Sequence, residues 1–94
     1  MSIFAVTYSY GGPVEVLNEH RPAHRAYLGE LAQRGKVMGS GPFTDDGAAG
    51  ALLVFSAESA QEVHDILADD PLVVHGAVTE HTVREWSIST GAWS

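Results

Sequence analysis

Along this chain the spacing of apolar residues changes several times, and each change marks an element. Residues 3–8 are β-branched and aromatic in alternation and stop at Gly11-Gly12-Pro13, which predicts a strand followed by a turn. From 14 to 33 the spacing becomes helical. Leu17, His24, Leu28 and Leu31 share one stripe, Glu19, Arg25 and Glu30 cover the other side, and Gly35 supplies the stop. Pro22 has no backbone N–H to donate and disfavours a helical residue before it. The regular helix is therefore expected to begin close to Arg21 or Pro22, with residues 14–20 as a separate turn. Residues 36–40 read as a short strand running into Gly41-Pro42 and residues 51–55 as another, joined through 44–50 as a hairpin. A second helix opens at the capping pattern Ser59-Ala60-Gln61-Glu62, carries Ala60, Val63, Ile66 and Leu67 on one stripe, and ends at Asp69-Asp70-Pro71. Residues 78–88 alternate as a last strand, with Val78, Thr82, Trp86 and Ile88 in one set and His81 and Val83 in the other. Residues 89–94 are expected to be a loose tail.

The order β-α-β-β-α-β predicts an α+β, ferredoxin-like domain over residues 1–94, with two helices on one face of a four-stranded antiparallel sheet. The other sheet face is left bare. Aromatic and β-branched residues fall on both faces of the first and last strands, so this bare face is expected to be apolar and to pack on a second copy. Composition adds to that expectation, because 45% of the residues are hydrophobic, a generous share for a core this small.

Charge narrows the partners. Five Lys and Arg against twelve Asp and Glu give a formal net charge of −7, so a grip on phosphate backbones would work against net repulsion, and nucleic acid is not expected. No stretch approaches the roughly 20 apolar residues of a membrane helix, and the first residues alternate rather than forming a signal-like apolar run. The chain has no cysteine, hence no disulfide framework and no thiolate for catalysis or metal binding, which suits the cytoplasm.

Two residues stand out as chemistry. His24 lies one turn from Leu28 and two from Leu31, on the stripe that packs against the sheet. Its modest role would be a core histidine satisfied by a backbone carbonyl. Asp70 follows Leu67 by three residues, so it continues the inward stripe of the second helix, and its modest role would be to hold backbone N–H groups at the turn beside Pro71. With both helices on one sheet face the two groups can meet. A carboxylate beside an imidazole fixes its tautomer and frees the other ring nitrogen to take or give a proton. His20 and His24 have the i, i+4 spacing of a helical metal pair, but without cysteine or a third ligand in register no metal is expected. His64, His75 and His81 read as surface or edge residues. Gly39-Ser40-Gly41-Pro42 lacks the phosphate-loop pattern and a following helix, so it is read instead as backbone that can form a pocket wall near His24. There is no GxSxG elbow for a serine nucleophile.

Taken in order, Arg21-Pro22-Ala23-His24, Gly35, Gly41-Pro42, Gly50, Asp70-Pro71 and Gly76 resemble the YCII family, the YciI-like proteins, over nearly the whole chain. The resemblance implies a ferredoxin-like fold that dimerises through its sheets into an α+β barrel, with His24 and Asp70 as the active-site pair. The family includes a dehydrochlorinase of chlorinated hydroxyquinols. That implies proton transfer on a small cyclic or phenolic substrate by a cofactor-independent lyase or isomerase. The substrate-binding positions are then Ser40, Gly41 and Pro42, which shape the cavity, and Arg21, which either lends charge at the pocket mouth or binds a nearby carboxylate. Leu72 departs from the aromatic residue that many members carry after Asp-Pro, which bears on substrate preference. The alternative is a non-catalytic dimer that binds a small molecule or serves a larger enzyme. No haem or flavin motif supports a monooxygenase.

Overall fold

The computed structural model describes residues 1–94 and builds them as β1 (Ser2–Tyr10), α1 (Val14–Gln33), β2 (Val37–Pro42), β3 (Gly50–Ala57), α2 (Ala60–Ala68), α3 (Pro71–Val74) and β4 (Val78–Trp86). The strands form one antiparallel sheet in the order β2-β3-β1-β4, the ferredoxin-like α+β arrangement. Alternation along β1 decides what goes inside. Phe4, Val6 and Tyr8 are buried, and their register partners on β3, namely Phe55, Leu53 and Ala51, are buried with them beneath the helices. Leu28 and Leu31 of α1 and Val63 and Leu67 of α2 complete this core.

The first helix is longer than the sequence suggests. It runs unbroken from Val14 to Gln33 with Pro22 inside it, and no separate turn precedes Arg21. Proline removes one hydrogen bond from such a helix, and tertiary packing outweighs that loss. Leu17 is buried with Leu72 and Ala77, Val16 packs against them, and the His20 ring stacks on His75. At the other end Gly35 adopts φ 77°, and the Lys36 N–H reaches back to the Leu31 carbonyl at 2.9 Å, closing the helix as a glycine stop should.

Strand β2 extends two residues further than expected, through Gly41 and Pro42, which pair with Leu52 and Ala51. An edge strand tolerates a proline because its missing N–H need not enter the ladder. Gly50, at the start of β3, has no such latitude. A Cβ there would lie 2.2 Å from the Tyr8 carbonyl oxygen, so β3 can approach β1 here only with glycine. Ser59 caps α2 by accepting the Glu62 N–H at 3.2 Å, while the Glu62 side chain turns to Lys36 at 2.9 Å and leaves the capping box half made.

The opposite sheet face carries no helix. Leu52 and Trp86 on it are 42% and 43% exposed, but Thr7, Thr82, Arg84 and Glu80 share it, so it is apolar only in part. The segment expected to be loose turns at Gly91, whose carbonyl accepts the Ser94 N–H at 3.1 Å, and lays the Trp93 ring close over Gly39. No helix of the chain is long and apolar enough to cross a membrane.

Candidate functional site

Asp70 does not continue the α2 stripe. That helix ends at Ala68, and the chain turns to start α3, which the sequence reading did not anticipate. Asp70 is the N-cap of that short helix, with Pro71 in the first position, where its absent N–H would have had no helical partner anyway. Its Oδ1 accepts the Leu72 N–H at 3.0 Å, a capping bond of the modest kind expected for an aspartate beside proline. The same carboxylate also faces His24. Nδ1 lies 2.8 Å from Oδ1 and 2.9 Å from Oδ2, and the Tyr8 hydroxyl donates to Oδ2 at 2.8 Å. Capping and pairing are thus one arrangement, since the cap fixes the direction in which the carboxylate points.

Asp70 is wholly buried and His24 is 8% exposed, so these bonds form away from water, where an unpaired charge would be costly. No buried side-chain nitrogen or oxygen in the chain lacks a partner. Burial, then the nearby Asp70 carboxylate, pushes the Tyr8 hydroxyl well above its ordinary value, which keeps it a donor at every ordinary pH. Two carboxylate oxygens at Nδ1 require the ring proton on that nitrogen. In the neutral ring Nε2 is then the nitrogen with the lone pair, and it is not among the buried atoms that need an internal partner.

His24 opens onto a cleft of about 270 Å³ between α1 and β2. Leu28, Val37 and Leu53 make its apolar floor, and Ser40, Gly41 and Pro42 make one wall, with Ser40 on the helix side of the sheet by its register with Leu53. Tyr10, Arg21 and Arg25 stand at the mouth. The Arg21 guanidinium sits 5.9 Å above the Tyr10 ring, within cation–π range. Burial raises the Tyr10 hydroxyl from its usual value, and the neighbouring Arg21 charge, with a smaller contribution from Arg25, works against that rise. His20 turns away to stack on His75 with ring centroids 3.6 Å apart, and no group of three His, Cys, Asp or Glu side chains gathers anywhere in the chain as a metal site would need.

The YCII-related domain family matches residues 1–87. The chain belongs to this family. The uncharacterized protein YjpA of Bacillus subtilis is 36% identical over 70 residues, which are 74% of this chain and 79% of that protein. The solved structure of 5-chloro-2-hydroxyhydroquinone dehydrochlorinase (TftG) from Burkholderia phenoliruptrix, in complex with 2,5-dihydroxybenzoquinone, is similar with a TM-score of 0.80 and 28% identity. The match covers 90% of this chain and 93% of that one.

In this YCII chain, the six positions expected at the site lie around one hollow: His24 with Asp70 behind it, Arg21 at the mouth, and Ser40, Gly41 and Pro42 opposite. Arg21 finds no carboxylate and rests on Tyr10 instead. Tyr8, Tyr10 and Arg25 also belong to the site, beyond the positions the sequence pattern points to. Tyr8 was detectable, because a tyrosine on the buried set of β1 must bring a partner for its hydroxyl. Tyr10 is reached past a register shift at Ser9/Tyr10, and Arg25 sits at the edge of a stripe that helical spacing assigned to solvent. Neither carried a local signal. His64, His75 and His81 are exposed, as their positions in the pattern suggested.

Proposed function

We propose that this YCII protein is a cofactor-independent acid–base enzyme, a lyase or isomerase acting on a small cyclic or phenolic metabolite in the cleft. The observation that supports it is the doubly held Nδ1 of His24, tied to a buried carboxylate while Nε2 is left for the substrate. In this reading Nε2 removes a proton from a ring hydroxyl or an acidic ring carbon. Asp70 holds the ring in place and stabilises the imidazolium that forms, and Tyr8 holds Asp70. Arg21, Ser40, Gly41 and Pro42 position the ring. With a halogenated ring, proton removal and departure of chloride with its bonding pair amount to net loss of HCl, which needs no external electron acceptor. The likeness to a dehydrochlorinase at 28% identity supports this reaction class. A homodimer is part of the proposal, with a second copy over the open sheet face that bears Leu52 and Trp86.

His24→Asn is the decisive variant, because the shorter amide keeps a donor near the Nδ1 position for Asp70 and removes Nε2. With 5-chloro-2-hydroxyhydroquinone as probe, chloride release is expected to fall by about 10² to 10⁴-fold while the fold is retained. Equal release by the variant and the parent would overturn the assignment.

A further inference from the structure

The acidic chain places its few cations unevenly. Of five Lys and Arg, Arg34 and Lys36 are committed to ion pairs with Glu30 and Glu62, and Arg84 lies on the helix-free face opposite Ala5. The two that are left, Arg21 and Arg25, both line the His24 cleft, and neither forms an ion pair. None of the side chains lining that cleft is Asp or Glu. Asp70, the nearest acid behind it, is fully buried and already accepts from Tyr8, His24 and Leu72. In a chain of net charge −7, this hollow therefore faces its ligand with two uncompensated guanidinium groups.

Helical spacing explains their convergence. Arg21 and Arg25 are four residues apart on α1 and flank His24 on the cleft side, and Tyr10 carries Arg21 on its ring face. A guanidinium fork suits the two oxygens of a carboxylate or the oxygen of an ionised ring hydroxyl. Beyond it Leu28, Val37 and Leu53 offer apolar surface to a carbon skeleton.

We propose that the cleft selects a small planar organic anion, bound through a carboxylate or ionised ring hydroxyl by Arg21 and Arg25, with its carbon frame on the apolar floor and its reacting atom at Nε2 of His24. The inference rests on the acid–base reading only in taking this cleft as the place where the substrate lies.

Binding measured by calorimetry separates the two ideas. Benzoate and salicylate are compared with benzamide and salicylamide, which match them in shape and lack the charge. The carboxylates are expected to bind roughly tenfold tighter or more, and the advantage is expected to shrink as salt is raised. In the Arg21→Gln/Arg25→Gln double variant the ratio should fall towards one, while the His24→Asn variant should keep it. Equal affinity for acid and amide, no saturable binding of either acid, or an undiminished ratio in the double variant overturns the proposal. Equal affinity for acid and amide in the parent protein alongside His24-dependent turnover sinks the anion site alone. A retained ratio with turnover indifferent to His24→Asn sinks the acid–base reading alone.

Discussion

Phe4, Val6 and Tyr8 of β1 lie beneath the helices at 4%, 0% and 2% exposure, whereas Thr7 and Ser9, which alternate with Val6 and Tyr8, look out from a face that no helix covers. On the covered side a polar group is admitted only with partners. Tyr8, His24, Asp70 and the Leu72 N–H satisfy one another so fully that their geometry has no slack, and a single ring nitrogen is left over for chemistry. On the open side Thr7 and Thr82 bond to each other, and Glu80 and Arg84 reach water, so polar groups there impose no comparable constraint. Burial makes polarity specific on one face of this sheet and permissive on the other.

Four substitutions can break or sharpen that contrast. Asp70→Ala should have the largest effect. It leaves Tyr8, His24 and the Leu72 N–H without their acceptor and uncaps α3, and a loss of about 3 to 5 kcal/mol is expected in urea unfolding. A loss under about 1 kcal/mol would mean the network is not closed to water. Next come two neighbours on β3 that point to opposite faces. Leu53→Ala, at a site with 0% exposure, should lower unfolding stability by about 2 to 5 kcal/mol. Leu52→Asp, on the open face, should leave the protomer folded and shift sedimentation from dimer to monomer. If Leu52→Asp changes neither sedimentation nor stability, no second copy covers this face. Tyr8→Phe should have the smallest effect, roughly 1 kcal/mol. Its signature is at high pH. The folded-state value of Tyr8 is raised above the ordinary 10.0, so the stability its protonated form contributes is whole below pH 10.0 and fades as pH climbs past it. Phenylalanine cannot ionise, and the alkaline decline in thermal midpoint should flatten in that variant. An unchanged decline would show that Tyr8 does not ionise on unfolding in that range.

Local periodicity was sufficient to order the four strands and the two longer helices, to assign Leu17, His24, Leu28 and Leu31 to the buried side of α1, and to start α2 at Ser59. These features depend on which side of an element is dry, and that is written in residue spacing alone. It also puts His24 and Asp70 in one neighbourhood, although Asp70 arrives there as the cap of α3 and not on a continued α2 stripe. What the spacing could not carry is which residue of one element meets which residue of another. Helix α1 passes through Pro22 because Leu17 finds Leu72 and Ala77 across the fold, Asp70 is aimed by a helix that exists for four residues, and Trp93 comes to rest on Gly39 from the far end of the chain. Each of these is decided by docking to within a hydrogen-bond length or a van der Waals contact. That precision belongs to the packed chain, because neither partner's own stretch of sequence contains the other's position.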